Sequence, residues 1–344
     1  MKASSYLLAP LHAAALATGA SSFRDNPILG SPALNRRGLH VARVRLAERI
    51  ADARRRRMTR LAGPEHRDAF AENGYVMVEN ALPDEVFARL RAEVVENRFP
   101  AREMKQGATV TRFITVSPAT LRGLPALRGF VTGPLFQGLM RYVAAADHDP
   151  LFNIHTVLTQ APGGRVDPQT RFHSDTFHAT AKGWLFLNDV ETEDGPFTYV
   201  PGSHRMTPAR LEWEREQSID AAQNPNGHHA LGSFRTTRDE IRAMGYPDPV
   251  AFPVRANTFV VADTHGFHAR GPAKRAAARL AIYGSLRANP FAPFGSLDLL
   301  DLPGLRGRKA QLTDLTRAIG ARLTGRPEGQ PLVGALRPTD PPVR

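Results

Sequence analysis

Short segments with alternating side chains fill much of the chain between residues 151 and 286, and they restrict the fold more than any other feature. These segments are 151–160, 184–190, 197–200, 251–255, 258–262 and 279–286. In the first one, alternation places the polar residues Asn153 and His155 on one face and Ile154 on the other. A polar inner face suits a barrel that holds a small ligand. Many short strands with one large insertion, at 205–250, predict a mainly β fold with flanking helices, a β-sandwich or jelly roll rather than a parallel α/β sheet.

Two residues of metal-binding type stand at the end of an apparent strand. One residue separates His173 from Asp175, so in an extended segment both side chains project to the same side and can reach one ion. The chain contains no cysteine, and a metal would have to be held by His, Asp or Glu. His265 and His268 are candidates for a third ligand. Such a ligand set suits Fe(II) for O2 chemistry, or zinc for hydrolysis.

An arginine opens the last strand of the series. Arg279 shares one face of this strand with Ala281 and Tyr283, while Leu280 lies on the other face. A guanidinium on the inner face of a barrel is unfavourable unless it binds an anion, and its planar fork matches a carboxylate. The sequence therefore predicts a bound carboxylate on this face.

Taken in order, these motifs resemble the phytanoyl-CoA dioxygenase-like family of iron(II)/2-oxoglutarate-dependent oxygenases. The motifs are His173-x-Asp175, the run 184–190, Asp194-Gly195-Pro196, the run 200–205, and His268 followed by Arg279. The resemblance covers about residues 150–287, with a weaker similarity at 66–96. It implies a double-stranded β-helix, which is a jelly-roll or cupin-like core.

The resemblance also implies the roles of the site residues. His173, Asp175 and His268 would bind Fe(II), and Arg279 would pair with the distal carboxylate of the co-substrate 2-oxoglutarate, with O2 as the oxidant. The spacing to Arg279 fits His268 better than His265. Halogenating relatives are expected to lack the carboxylate, so Asp175 favours a hydroxylase that releases succinate and CO2.

Five further residues are candidates for contacts with the co-substrate or the substrate. Asn153 and His155 would hydrogen-bond 2-oxoglutarate or the substrate, or would form an internal polar network. Lys182 and His178 would line the substrate entrance, with a solvated lysine as the alternative. Arg270, two residues after the distal metal ligand, would recognise a phosphate or carboxylate of the substrate unless it turns outward.

Positive charge is concentrated in one segment. Residues 36–60 contain ten arginines and two acidic residues, which account for +8 of the net charge of +12. Apolar residues recur at helical spacing over 39–61, which predicts a basic amphipathic helix. This helix would dock on an anionic membrane surface, or would pack on the core with a solvated basic face.

The basic helix also bears on substrate, location and alternative functions. It hints at an anionic or lipid-like substrate, and at a cytoplasmic protein with peripheral contact to the inner face of a membrane. The opposing hypothesis is a non-catalytic protein that uses a jelly-roll scaffold and this arm to bind membrane or nucleic acid. Nucleic acid is disfavoured because no base-stacking motif is present.

Three regions follow from these patterns. They are an N-terminal basic helical arm at 1–62, an oxygenase jelly-roll domain at 63–290 with its insertion at 205–250, and a Pro-rich tail at 291–344 with one short helix at about 312–323. Residues 6–17 are expected to form a short helix, because this apolar run is too short to span a bilayer. Residues 325–344 are expected to be extended on the surface or disordered. The patterns between 101 and 150 do not assign secondary structure.

Overall fold

Two antiparallel sheets enclose a cavity in the computed structural model, which describes residues 9–159, 167–292, 309–325 and 328–343. The strands are β1 (Tyr75–Val78), β2 (Phe99–Gln106), β3 (Thr109–Thr115), β4 (Leu151–Thr159), β5 (Ala181–Phe186), β6 (Phe197–Tyr199), β7 (Val250–Ala251), β8 (Phe259–Asp263), β9 (His268–Arg270), β10 (Ala277–Leu286) and β11 (Leu332–Leu336). The larger sheet has the order β1-β8-β5-β10-β4-β3-β2-β11, and the smaller has the order β7-β6-β9. This architecture confirms the predicted mainly β fold with a jelly-roll core.

Helices flank these sheets. They are α1 (Ala9–Ala14), α2 (Pro32–Arg36), α3 (Leu39–Arg57), α4 (Pro64–Asn73), α5 (Asp84–Val95), α6 (Pro118–Arg122), α7 (Pro125–Thr132), α8 (Pro134–Ala144), α9 (Pro208–Ile219), α10 (Gly227–Ala230), α11 (Arg238–Ala243) and α12 (Lys309–Thr324). Several boundaries are encoded locally, since Ser117 and Thr207 cap the helices that follow them and each is followed by proline at the first helical position. Thr237 forms a capping box with Glu240 at the start of α11.

Several expected elements are present. The insertion at 205–250 contains α9, α10 and α11, and α12 covers the helix expected at about 312–323. The short helix expected over 6–17 appears as α1, followed by a 3-10 turn at Ala15–Ala17, and residues 6–8 lie outside the described residues. The unassigned stretch from 101 to 150 holds most of β2, together with β3 and α6 to α8.

The register of β10 sets the inner face of the larger sheet. Arg279 lies opposite Val157 of β4. Two residues on, Ala281 lies between His155 of β4 and Phe186 of β5. Residues directly opposite in antiparallel strands share a face, so these five side chains belong to one surface. That surface faces the smaller sheet and forms much of the cavity wall.

The outer face of the larger sheet is covered by α8. Phe136 and Met140 of this helix are fully buried against the sheet, and burial of such side chains contributes about 1.5–3 kcal/mol each. The strands have glycines at the positions that face these two side chains. A Cβ at Gly284 would lie 2.7 Å from the Phe136 ring, and one at Gly183 would lie 2.7 Å from the Met140 sulfur. Glycine in these strand interiors permits the close approach of the helix.

The basic helix α3 packs on the core. Its residues Val44, Ala47 and Ala51 are buried. Arg54 donates a hydrogen bond to the carbonyl of Ala145, and Arg55 donates to the carbonyl of Val143, which ties the helix to the end of α8. Packing on the core was one of the two predicted arrangements. Within the described residues, no helix combines the length and the apolar character that a membrane crossing requires.

The segment after residue 330 completes the edge of the larger sheet. Residues 332–336 form β11, an extended and mostly exposed strand that pairs with β2, so of the two expectations for 325–344, extended or disordered, these residues show the extended one. Arg112, on β3, is fully buried beside Glu103, with 2.6 Å between a guanidinium nitrogen and a carboxylate oxygen. The same guanidinium donates to the carbonyls of Pro338 and Pro341. The buried guanidinium of Arg112 therefore has hydrogen-bonding partners both in the sheet, at Glu103, and in the C-terminal segment.

Candidate metal centre and its cavity

Three predicted ligands from distant parts of the sequence lie side by side. His173 and His268 exchange two backbone hydrogen bonds of 3.0 Å, which join residue 173 to the edge of β9. The amide of Asp175 donates to the carbonyl of Thr264. His173, expected at the end of a strand, instead forms an isolated β-bridge. The side chains of His173 and Asp175 still come together, because backbone hydrogen bonds hold the segment at both residues.

The three side chains form a compact group. Their potential ligand atoms lie within 4.8 Å of one another. The Nε2 atoms of His173 and His268 are 3.9 Å and 3.7 Å from the same oxygen, Oδ1 of Asp175. No other group of this kind, with three or more acidic, His or Cys side chains, occurs among the described residues.

Backbone carbonyl groups orient both imidazoles through their Nδ1 atoms. Nδ1 of His173 lies 2.8 Å from the carbonyl oxygen of Arg171, and Nδ1 of His268 lies 3.0 Å from that of Gly266. These contacts require a proton on Nδ1, which leaves the Nε2 lone pair free to bind a metal. Nε2 of His268 is buried and has no hydrogen-bonding partner among the described residues. The donor set and its orientation therefore fit a divalent iron ion.

The electrostatics of the group also favour the metal-binding protonation states. Burial lowers the pKa of His268 to about 4 and lowers the pKa of His173 well below its usual value. For Asp175, burial acts to raise the pKa, but the neighbouring ammonium of Lys182 and the two imidazoles more than offset it, and the pKa falls below its usual range. At neutral pH the group consists of two neutral imidazoles and one carboxylate, which are the forms that bind metals.

Lys182 contacts the carboxylate from the side away from the histidines. Its Nζ atom lies 2.6 Å from Oδ2 of Asp175, whereas the imidazoles face Oδ1. The lysine side chain is 30% exposed and lines the cavity, so it is not simply a solvated surface residue. Lys182, expected at the substrate entrance, lies beside the metal group.

A cavity of about 230 Å³ is lined by both sheets and by two of the three ligands, His173 and His268, while Asp175 contacts the lining residue Lys182. Arg279 projects into the cavity and is only 8% exposed. Among the described residues its guanidinium has no recorded hydrogen-bonding partner, and its Nε atom is fully buried. Burial and the nearby Arg270 lower the pKa of Arg279 to about 9. A buried cation without a partner is a strong candidate for binding an anion.

Arg270 faces the same cavity and does not turn outward. It stands two residues after His268 on β9, and one of its terminal nitrogens makes a short ion pair with Asp167. Asp167 is buried and is held in turn by the amide of Gln169 at 2.8 Å. The guanidinium is therefore fixed at one edge of the cavity.

The remaining candidates are distributed more widely. His155 lines the cavity between the rings of Phe113 and Tyr283, and burial lowers its pKa to about 3, so it is neutral. Asn153 is on the same face of β4 but is not among the residues that line the cavity. His178, expected at the substrate entrance, is not among the described residues that line the cavity.

His178 and His265 lie away from the metal group. His178 is buried near Ala47 and Ala51 of α3. The His265 ring is buried near Arg210, and burial lowers its pKa to about 3. His268, and not His265, therefore joins His173 and Asp175, as the spacing to Arg279 indicated.

Two residues in or beside the cavity were not predicted to belong to the site, namely Trp184, which lines it, and Asp167, which pairs with Arg270. Trp184, interpreted as a core residue, forms part of the wall beside Phe197, with ring centroids 4.7 Å apart. Its alternation with Lys182 could have indicated this position. Asp167 gave no signal, because it precedes a 3-10 turn outside any periodic segment.

Comparison with known proteins gives one family match. The sequence model of the family described as Phytanoyl-CoA dioxygenase (PhyH) matches residues 70–273. A search of curated proteins finds no match.

Several solved structures are similar to the chain. They include the epimerase SnoN in complex with Fe3+, alpha ketoglutarate and nogalamycin RO, with 23% identity, 70% of this chain and 90% of that chain covered, and a TM-score of 0.41. The alpha ketoglutarate dependent carbocyclase SnoK from nogalamycin biosynthesis has 22% identity, 70% and 91% coverage, and a TM-score of 0.40. HygX from Streptomyces hygroscopicus, with nickel and 2-oxoglutarate bound, has 13% identity, 65% and 86% coverage, and a TM-score of 0.39.

Proposed function

The chain belongs to the phytanoyl-CoA dioxygenase family, and we propose that it hydroxylates a C–H bond of a small molecule. Membership of this family makes it an iron- and 2-oxoglutarate-dependent enzyme. In this reaction the C1–C2 bond of 2-oxoglutarate breaks and CO2 leaves. One atom of O2 enters the new carboxylate of succinate, and the other becomes the hydroxyl group of the product. The four electrons that reduce O2 come in equal parts from 2-oxoglutarate and from the C–H bond.

The observation that carries the proposal is the pairing of two features in one cavity. His173, Asp175 and His268 form a metal-binding group, and Arg279 supplies a buried guanidinium without a described partner. Hydrolytic zinc chemistry would explain the first feature but not the second. Iron together with a dicarboxylate would explain both, since the three ligands would hold the metal and Arg279 would bind a carboxylate of 2-oxoglutarate.

Each residue has a defined task in this scheme. Iron, bound by the three ligands, supplies the oxidising chemistry with 2-oxoglutarate and O2. Asp175 would bind the metal through Oδ1 while Lys182 holds Oδ2, so the carboxylate stays oriented. Trp184 and Phe186 line the cavity and exclude water from the reacting centre. Neutral His155 can donate one hydrogen bond to the co-substrate, and Asn153 lies farther along the same face.

Hydroxylation, rather than halogenation, is favoured by the carboxylate itself. A halide would need the metal position that Asp175 would fill. The reaction with isotopically labelled O2 and a panel of small molecules provides the test, with mass spectrometry of the products. A product that gains one labelled oxygen atom supports hydroxylation. A product that has only lost two hydrogens contradicts it.

The metal assignment is tested by 2-oxoglutarate turnover in protein loaded with iron without air. His173→Ala and Asp175→Ala should lose bound iron and succinate release. His228→Ala is the matched control, because this histidine is exposed and lies outside the metal group. If either ligand variant binds iron and releases succinate like the wild type, the site is assigned wrongly.

Membrane contact remains a separate proposal for the exposed arginines of α3. Arg45, Arg49 and Arg56 are exposed, whereas the apolar face of this helix is occupied by the core. Replacing these three with Gln should abolish salt-sensitive binding to vesicles that contain anionic lipid, and leave the fold intact. Vesicle binding that is absent in the wild type, or unchanged in the variant, rules out this contact.

A further inference from the structure

The charges in and beside the cavity do not cancel. Lys182, Arg270 and Arg279 line the cavity and contribute three positive charges. Asp175 and Asp167, which pair with Lys182 and Arg270, contribute two negative charges. Fe(II) and the dianion 2-oxoglutarate add equal and opposite charge. The cavity therefore carries one uncompensated positive charge both before and after it is loaded. A charge in such a site is unfavourable unless a counter-ion accompanies it.

The surrounding residues do not remove this excess. Arg235 and Arg287 interact electrostatically with Asp175 from outside the cavity, and each is itself a cation. Arg235 donates to the neutral oxygens of Ser233, and Arg287 donates to the hydroxyl of Thr176 and to a backbone carbonyl. Asp194 also interacts electrostatically with Arg279, but its carboxylate accepts a hydrogen bond from the guanidinium of Arg275. Within the described part of the chain, the field in the cavity therefore stays positive.

One of the three cavity cations is suited to a further anion. Arg279 is assigned to 2-oxoglutarate, and Lys182 is held by Asp175. Arg270 uses one terminal nitrogen for Asp167, and no other hydrogen bond of its guanidinium is recorded with the described residues. A guanidinium has five N–H donors in a planar fork, so most of its donors remain for a carboxylate.

Arg270 also occupies the right place. It follows His268 by two residues on β9, so the two side chains project to the same side. Apolar side chains, including Phe113, Val157 and Phe197, form the wall around these polar groups. An anchored anionic head with an apolar body would bring a C–H bond of that body towards the metal group.

We propose that the substrate is a small apolar monocarboxylate whose carboxylate binds Arg270. This inference rests on the proposed function and adds a substrate class and a specificity-determining residue to it. Asp167 acts as a positioning residue, because it holds one edge of the guanidinium and leaves the other edge free.

Calorimetric titration of protein loaded with Zn(II) and 2-oxoglutarate tests the proposal without turnover. The probes are phenylacetate, cinnamate and decanoate, each paired with its primary amide. At least one acid should bind about tenfold or more tightly than its amide, as expected for a charge-assisted hydrogen bond. Arg270→Gln should reduce this ratio to about one, and Arg270→Lys should restore part of it. Arg242→Gln, which removes an exposed surface cation, should keep the wild-type ratio.

A second variant guards against loss of folding. Arg270→Gln leaves Asp167 buried without its cation, whereas Arg270→Gln with Asp167→Asn removes both charges. The double variant should fold, bind 2-oxoglutarate within about twofold of the wild-type affinity, and lack the preference for acids.

Three outcomes would overturn the inference. In the first, the acids bind no better than their amides or do not bind. In the second, the preference survives in both Arg270 variants. In the third, 2-oxoglutarate binding weakens as much as acid binding, which would make Arg270 part of the co-substrate site. Failure of the wild type to bind 2-oxoglutarate would instead refute the proposed function, and titration of the Zn(II) protein with the acids alone would still test Arg270.

Discussion

Arg279→Gln removes the guanidinium that we assign to the distal carboxylate of 2-oxoglutarate. The arginine is 8% exposed, lines the cavity and has no recorded hydrogen-bonding partner among the described residues. Hydrogen bonds to a charged group contribute about 1.5–3 kcal/mol, and about 1.4 kcal/mol corresponds to a factor of ten in affinity. We therefore expect the Kd of 2-oxoglutarate to rise about 10- to 150-fold. Metal affinity should change little, because the ligands remain.

The same substitution should stabilise the protein in the absence of 2-oxoglutarate. Burial and the neighbouring Arg270 lower the pKa of Arg279 from 12.5 to about 9. The charged form is thus disfavoured in the folded state by on the order of 5 kcal/mol. This destabilisation is fully present below pH 9, and it is relieved as the pH rises towards 12.5, where the unfolded chain binds more protons than the folded one. At neutral pH the uncharged glutamine avoids it, so the melting temperature should rise.

Two measurements check these effects. Calorimetric titration of 2-oxoglutarate into Zn(II)-loaded protein gives the Kd, and thermal melting without ligand gives the stability. Arg242→Gln is the control for net charge, since it removes a guanidinium paired with Asp239 and Asp248 on the surface. Arg279→Lys should retain part of the affinity. A change in Kd of twofold or less, together with an unchanged or lower melting temperature, would refute the reasoning.

Two further predictions concern the scaffold. Arg112→Ala leaves the Glu103 carboxylate buried without its cation. The free energy of unfolding, measured in urea, should therefore fall by about 3–5 kcal/mol. A loss below about 1 kcal/mol would show that the pair is not a stabilising contact. Gly284→Ala places a Cβ 2.7 Å from the Phe136 ring and should lower stability by about 1–3 kcal/mol. Gly129→Ala, in α7 with nothing within 4 Å of the new Cβ, should instead be neutral or stabilising by up to about 1 kcal/mol, and equal melting temperatures for the two variants would contradict this account.

Two of the three metal ligands could be predicted because their arrangement depends only on residues close together in the sequence. His173 and Asp175 are two residues apart, and an extended backbone turns both to one side whether or not the segment belongs to a sheet. Arg279 could be predicted for the same reason, because β10 is long enough for its alternation to be clear. The choice of His268 over His265 needed a spacing to Arg279 that only the family resemblance interprets.

Other parts of the site depend on tertiary structure that no local pattern records. Asp167 meets Arg270 across 103 positions of sequence from an irregular segment. Alternation says which side of β5 carries Trp184, but it cannot say whether the facing sheet fills that space or leaves a cavity. His178 follows Asp175 by only three residues, yet its side chain lies near α3 and not in the cavity. The outer strand β11 was missed because its short apolar run lies among prolines and glycines.

The position of β11 has a consequence for biosynthesis. β2 contributes Met104 and Gln106 to the cavity wall, and its outer edge is covered only when residues 332–336 pair with it. On the ribosome, the strand that faces the substrate is therefore made long before its neighbour. Until that neighbour emerges, β2 presents an unpaired edge on which another chain could assemble. The step that completes the larger sheet in the cell is then the arrival of a distant strand, and a nascent chain that ends before residue 332 would expose this edge of β2.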